Sequence, residues 1–233
     1  MTVGTFQEHN SISVVIPTLD AADDLPGALA SLSGCTLIGE IIVSDGGSHD
    51  ETVRIAEISG ARIVSGPPGR GTQLAAGAAA ASGEWLLFVH ADCRLGAEWR
   101  KAVAKFVAQP GGAKHAGYFA FALDDPDPAA RRLERIVAWR CRVLGLPYGD
   151  QGLLISRRLY DAIGGFAPIP LMEDVDFVRR LGRRRLAPIP ASIIVSARRY
   201  RRDGYLRRPL RNLLCLSLYF AGVPPARIAR LYG

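Results

Sequence analysis

Glu84-Trp-Leu-Leu-Phe-Val-His-Ala-Asp92 is a strand-like apolar run that ends abruptly in a carboxylate, and Glu40-Ile-Ile-Val-Ser-Asp45 upstream repeats the pattern. Short continuous apolar runs bounded by polar residues fit strands buried on both faces, as in a parallel sheet. Open α/β sheets bind ligands beyond the carboxyl ends of their strands. A carboxylate at that edge is placed to hold a divalent cation against a diphosphate. The expectation is an enzyme that handles an activated nucleotide.

Working outward, Ser13-Val-Val-Ile-Pro17 reads as a strand and Ala21 to Leu32 as a helix. Glu40 to Val43 is the next strand, Asp50 to Ser59 a helix stopped by Gly60, and Ala61 to Ser65 a third strand. Gly66-Pro-Pro-Gly-Arg-Gly71 is a loop before the Ala-rich helix Thr72 to Ala81; Trp85 to Val89 is the fourth strand and Glu98 to Val107 again helical. Strands alternating with helices at this spacing predict βαβ units and a largely parallel sheet. Right-handed crossovers then gather Thr18, Asp45, Gly69 to Gly71 and Asp92 at one rim.

After about residue 110 the rhythm changes. Gly117 to Leu123 reads as a strand, Pro128 to Leu144 as a basic helix, and Gly149 to Ser156 as loop plus strand. Leu159 to Ile163 is a short helix stopped by Gly164-Gly165, and Leu171 to Arg180 a helix with an acidic start and a basic end, which suits the helix dipole. Ile193 to Ser196 is a candidate strand and Tyr205 to Phe220 an amphipathic helix. The predicted fold is α/β, with a mostly parallel central sheet flanked by helices. Residues 1–204 form the expected catalytic domain and 205–233 a basic amphipathic extension.

With 233 residues and 48% hydrophobic content, the chain can bury one full core. The net charge of +7 is uneven: residues 1–130 hold 8 Lys+Arg against 15 Asp+Glu, and residues 131–233 hold 21 against 7. The basic half needs an anionic partner or surface. Cys35, Cys93, Cys141 and Cys215 lack the spacing of a zinc site or a disulfide scaffold and read as buried free thiols. Met1 to Asn10 shows no basic segment followed by an apolar one, so no secretory signal is visible. The longest apolar run, Leu213 to Val223, is half of the ~20 residues a membrane span needs.

Each candidate site residue also has an ordinary structural reading. Asp45, in Ser44-Asp-Gly-Gly-Ser-His-Asp50, could accept a hydrogen bond from a nucleobase, or merely organise a strand-terminal turn. Asp92 could hold a metal or close a surface turn; His90 could assist it or simply pack, and Cys93 fits a small buried hydrophobe. Gly69-Arg-Gly-Thr-Gln73 could present backbone N–H groups and Arg70 to a nucleotide, although it has neither a Walker ending nor the dinucleotide glycine spacing. Glu173 and Asp174 are neighbours that point apart, so one faces the rim; it could serve as a general base, or the pair could only complement the helix dipole. Arg198, Arg199, Arg201 and Arg202, followed by Leu206, Leu210, Leu213, Leu214 and Tyr219, fit an interfacial helix on anionic lipid better than a nucleic-acid surface, for which no recognition motif is present.

Taken in order, Val14-Val-Ile-Pro-Thr-Leu-Asp20, Ile42 to Asp50, Gly69 to Gln73, Phe88-Val-His-Ala-Asp92, Gly149-Asp-Gln-Gly152 and Met172-Glu-Asp-Val-Asp176 resemble the family-2 nucleotide-sugar glycosyltransferases of the GT-A fold. The resemblance implies transfer of a sugar from a nucleotide diphosphate, usually UDP, to a hydroxyl acceptor with inversion. It implies nucleotide contacts from Pro17, Thr18, Asp20, Asp45, Arg70 and Gln73, and Mn²⁺ or Mg²⁺ on Asp92. Asp174 becomes the base, while Ala91, Gln151 and Glu173 lie near the donor sugar or the acceptor. Two departures stand out: His90-Ala-Asp92 replaces the family's acid-x-acid motif, and Asp20 stands where many relatives carry Asn-Glu. The implied partners are a nucleotide-sugar donor, a hydroxyl acceptor with lipid-linked ones among the candidates, and a peripheral membrane contact, with no nucleic acid. The implied place is the cytoplasm, at or near the inner face of the membrane. A nucleotide-sugar-forming nucleotidyltransferase is the rival enzyme, weakened because Pro17-Thr-Leu-Asp20 lacks Gly and a basic residue; a catalytically silent nucleotide-sugar binder is the other rival.

Overall fold

Strand β1 (Ile12–Thr18) is paired on both edges and buried at every residue, because Ile12, Val14 and Ile16 enter one apolar cluster and Val15 another on the opposite face. The structure, a computed structural model, describes residues 11–232; the reading of Met1 to Asn10 lies outside them. Along the chain β1 is followed by α1 (Leu25–Leu32), β2 (Ile38–Asp45), α2 (Thr52–Ile58), β3 (Arg62–Ser65), α3 (Arg70–Ala80) and β4 (Trp85–Phe88). Then come β5 (Cys93–Leu95), α4 (Trp99–Ala108), β6 (Ala116–Leu123), α5 (Pro128–Leu144), β7 (Leu153–Ser156), α6 (Arg157–Ala162) and α7 (Glu173–Leu181). The chain continues through β8 (Leu186–Val195), α8 (Arg198–Asp203), α9 (Arg207–Phe220) and α10 (Pro225–Tyr232).

Among the described residues the strands form one sheet in the order β3-β2-β1-β4-β7-β6-β8-β5. The first four are mutually parallel; β7 is antiparallel to β4 and β6, β8 is parallel to β6, and β5 closes the edge antiparallel to β8. The expected α/β sheet flanked by helices is therefore present. Asp45 ends β2 and Asp92 follows β4; these strands flank β1 rather than touch each other, so the binding edge is one strand wider than a neighbouring pair would make it. Register sets Thr18 directly against Asp45.

Local sequence explains the better-read elements. Helix α5 begins with Asp127, whose side chain accepts from the Ala129 N–H, and Pro128; it ends at Gly145 in a left-handed conformation at φ 63°. Its bounds are those read from sequence. Strand β8 starts at Leu186, well before the expected Ile193, because Pro188 and Pro190 hide it. The register against β6 shifts between Phe119 and Ala120, and that irregularity accommodates a proline-bearing stretch. The β5, α8 and Pro-initiated α10 elements, of three, six and eight residues, are too short to be read from sequence.

The sheet core holds Trp99, Phe119 and Phe177 as its largest fully buried side chains, and emptying one such position costs about 3–5 kcal/mol. A separate apolar cluster joins Leu171, Met172 and Val175 to Cys215, Leu216 and Ile228. The C-terminal helices are thus packed onto the segment that starts α7. The four cysteines are free, as expected, three buried and Cys35 half-buried. Among the described residues no helix is long and apolar enough to cross a membrane.

Candidate active site

The carboxyl ends of β1 and β4 open onto a cleft of about 310 Å³, whose lining includes Pro17, Thr18 and Asp20, Arg70 and Gln73, and His90, Ala91 and Asp92, with Asp45 behind it. Gly71 lets α3 approach this edge: its N–H donates to the Ile169 carbonyl at 3.3 Å, and a Cβ there would collide with the carbonyl oxygens of Ala167 and Ile169. The helix start is thereby fixed beside the loop leading to α7, with Arg70 next to Glu173.

Several predicted residues hold this edge together. Asp45 is buried and accepts from the Ser48 N–H at 2.8 Å, the Gly47 N–H at 2.9 Å, the Thr18 hydroxyl at 3.0 Å and the Ser48 hydroxyl. Burial pushes its carboxyl up, but these bonds outweigh it and hold the group below its ordinary value. Four accepted bonds fill a carboxylate, so a nucleobase must displace one of them. Gln73 donates to the carbonyls of Thr18 at 2.5 Å and Ser44 at 2.9 Å, clamping β1 to β2. Asp20 sits at φ 47° and accepts from the His49 N–H at 2.8 Å, which ties the loops after β1 and β2.

Asp92 follows β4 in a turn closed by the Cys93 N–H to the His90 carbonyl at 3.1 Å, and its own carbonyl accepts from Ser196 N–H at 2.9 Å. Among the described residues its carboxylate meets the Cys93 thiol at 3.5 Å and Arg199 at 3.7 Å. Burial raises its pKa, yet His90 and Arg199 bring the group below its ordinary value. His90 is pushed down to about 4 by burial and then by Arg70, which leaves a neutral imidazole with a lone pair to offer. Among the described residues no three Asp, Glu, His or Cys side chains are grouped as a metal cage. The donor set fits an ion held by one under-coordinated carboxylate, with His90 beside it and the remaining positions left to a ligand and water.

A second cavity of about 100 Å³ adjoins the first and shares Arg70, His90 and Asp92 with it; Tyr148, Asp150, Asp174, Arg208 and Asn212 also line it. Asp92 and Asp174 therefore share one cleft. Asp174 accepts from the Gly149 N–H at 2.8 Å and the Val175 N–H at 2.7 Å, which orients it. Glu173 does not line that cavity; it lines a small, largely apolar one with Phe88, Phe166 and Phe177, which His90 and Asp174 also border. Both of its oxygens lack a hydrogen-bond partner, and Arg70 stands 3.7 Å off. Burial, reinforced by Asp174 and opposed by Arg70, pushes its pKa up to about 7.

Gln151 is not brought to the cleft. Its amide is used inside, accepting from Arg140 at 2.9 Å and donating to the Phe119 carbonyl at 3.1 Å. Its neighbour Asp150, which sequence reasoning passed over, lines the cavity instead; burial pushes it up to about 6, with Arg140 pulling against that. The acidic letter in Gly149-Asp-Gln-Gly152 was the available signal. Arg199, Arg208 and Asn212 were also missed as cleft residues, and no local pattern marks them.

Glu173 makes stability depend on pH. Its folded pKa is raised from an ordinary 4.5 to about 7, so its contribution is full below pH 4.5 and is lost as pH rises through 7. Glu173→Gln is expected to match the wild type at pH 4 and to exceed it above pH 7, by on the order of a few kcal/mol. Melting temperatures from pH 4 to 8 check this; a wild type that gains on the variant as pH rises would mean that Arg70 stabilises the charged form.

Residues 13–169 match the family model described as glycosyl transferase family 2. The glucosyl-3-phosphoglycerate synthase of Mycolicibacterium paratuberculosis is 38% identical over 93 residues, which cover 35% of this chain and 28% of that protein. The match thus spans less than a third of that relative. The Mycobacterium tuberculosis glucosyl-3-phosphoglycerate synthase, solved with Mn²⁺, uridine diphosphate and glucosyl-3-phosphoglycerate, is similar at a TM-score of 0.56 and 27% identity, over 80% of this chain and 70% of that one. Its complex with Mn²⁺, UDP-glucose and phosphoglyceric acid gives a TM-score of 0.62 at 25% identity, over 92% and 81%.

Proposed function

This chain belongs to glycosyl transferase family 2, and from that premise we propose that it moves a sugar from a nucleotide diphosphate, UDP-linked, to a hydroxyl acceptor with inversion at the anomeric carbon. The observation that carries the reading is the shared cleft of Asp92 and Asp174. Pro17, Thr18, Asp20 and Arg70 take the nucleotide, while Asp45 and Gln73 hold the strand ends that shape its seat. Asp92, with His90 beside it, holds Mn²⁺ or Mg²⁺, which when bound offsets charge on the leaving diphosphate. Ala91 borders the donor sugar, whereas Glu173, predicted to do so, lines neither of the two cavities that meet at Asp92. Asp174, oriented by two N–H groups, takes the acceptor proton. Residues 1–204 form the catalytic unit, and the segment 205–233 covers the acceptor side.

A peripheral membrane contact belongs to the same reading, because Leu206, Leu210, Leu213 and Leu214 are each more than half exposed on or beside the basic helix α9. The decisive experiment is a thermal-shift series with UDP and UDP-glucose, with and without Mn²⁺, since a ligand that binds only the native state raises its melting temperature. Stabilisation by UDP that requires the cation supports the reading. No response to any nucleotide removes it.

A further inference from the structure

Helix α5 turns an apolar and cationic face outward. Its inner side, Ala130, Leu133, Val137 and Cys141, is buried against β6. Spacings of three and four residues bring Ile136, Trp139 and Val143 together on the opposite side, where they are 61%, 56% and 42% exposed. Arg132, Arg135 and Arg142 flank them and are exposed as well. The helix has one carboxylate, Glu134, and it is used inward, accepting from the Leu123 N–H at 2.7 Å and from Arg131 at 2.8 Å. The outward face therefore carries no acid.

The charge continues past the end of the helix. Arg183 donates to the Arg142 carbonyl at 2.9 Å, which sets the exposed turn Arg183–Arg185 beside the last turn of α5. Among the described residues none of Arg132, Arg135, Arg142, Arg183, Arg184 and Arg185 forms an ion pair. Elsewhere the surface arginines Arg94, Arg180 and Arg201 each meet a carboxylate. Helix α9 is tied to the same region: Tyr205, just before it, donates to Asp125 at 2.8 Å near the start of α5. At the other end Arg140 lies over the Tyr148 ring, which packs against the cluster holding Cys215 and Leu216.

These groups choose among the possible occupants. A second copy related by two-fold symmetry would set the same unpaired arginines against one another. A nucleic acid would match the charge but leave Ile136, Trp139 and Val143 against phosphate and sugar. An anionic bilayer satisfies both halves, since aliphatic and indole side chains enter the boundary between head groups and acyl chains while guanidiniums stay with the phosphates. We infer that α5 docks this chain on an anionic lipid surface, with Ile136, Trp139 and Val143 inserted and the arginines of α5 and of the Arg183–Arg185 turn on the head groups. Helix α5 thereby extends the contact proposed for α9, and the inference rests on no step of the sugar-transfer reading.

Tryptophan fluorescence on the full chain tests this, because Trp85 and Trp99 are buried at 3% and 1% exposure and Trp139 is the third and last tryptophan. Vesicles of phosphatidylglycerol are expected to shift Trp139 emission to the blue, and brominated acyl chains to quench it, while vesicles of phosphatidylcholine leave it unchanged. Trp139→Phe should still cosediment with phosphatidylglycerol and lose the signal. Ile136→Asp, at an unchanged melting temperature, should lower vesicle affinity about tenfold or more, and Arg135→Gln and Arg142→Gln about fivefold each, with binding weakened by salt. Cosedimentation with unchanged Trp139 emission overturns the α5 contact and leaves α9 as the anchor. No vesicle binding, or equal binding to both lipids, overturns it too. Arginine-dependent binding of duplex DNA without lipid binding, or a dimer that Ile136→Asp dissolves, gives the face to another partner. None of these samples contains UDP or Mn²⁺, so the sugar-transfer reading stands or falls separately.

Discussion

Asp174→Asn is expected to lower kcat for sugar release from UDP-glucose by about 10²–10⁴-fold, the range that a positioned general base supplies, while the Kd for UDP stays unchanged. The cavity holds competing carboxylates, and geometry separates them. Glu173 lines a largely apolar pocket and does not line the cavity shared with Asp92. Asp150 lines that cavity too, and with burial pushing it up to about 6 it is still mostly ionised at neutrality; what separates it is orientation, because its Oδ1 is buried without a hydrogen-bond partner. Asp174 faces the cleft and is aimed by the Gly149 and Val175 N–H groups. Replacing it with Asn sets an NH₂ against one of those donors, costing about 1–2 kcal/mol, or a melting temperature lower by about 2–8 °C for a chain of this size. A kcat loss far above what that destabilisation explains identifies the base. A larger loss in Glu173→Gln than in Asp174→Asn would move the proton acceptor one residue back.

How much of this was legible in the sequence depended on whether the signal was local. Pro128 and Gly145 bracket α5, and both act within one helical turn, so its limits could be read directly. The alternation of short apolar runs with helices placed Asp45, Arg70 and Asp92 at one edge, because the loops that follow parallel strands joined by βαβ crossovers all fall on the same edge, whatever the strand order. Gln151 was chosen over Asp150 within a single helical turn, where one residue of shift redirects a side chain from cavity to core. The C-terminal arginines failed for a different reason. An amphipathic helix declares a polar face but not what it meets, and only long-range packing through Leu171, Val175, Cys215 and Ile228 turns Arg208 and Asn212 toward Asp174. Local propensity gives no access to that arrangement.

Asp92→Ala is expected to abolish the part of the UDP thermal shift that requires Mn²⁺, and to lower turnover by at least about 10²-fold, the scale of losing a preorganised electrostatic stabiliser. At UDP and Mn²⁺ near 100-fold the dissociation constant, linkage gives the wild type about 2.7 kcal/mol, or about 5–11 °C for a chain of this size. The single-carboxylate site makes the effect sharp. Where the family's acid-x-acid pattern would leave a second carboxylate, this chain has His90, a neutral ligand that offsets none of the cation's charge. His90→Ala should therefore weaken the cation dependence by about tenfold, as loss of an outer partner does, without removing it. Loss of the carboxylate also frees Arg199 from its 3.7 Å contact, and that half-exposed guanidinium can swing toward the diphosphate. Residual UDP binding in Asp92→Ala should then persist, indifferent to cation and weakened by salt. Turnover retained by Asp92→Ala in the presence of a chelator would mean that Arg199 and Arg70 neutralise the leaving group, and the reaction would have to be rebuilt on guanidinium charge.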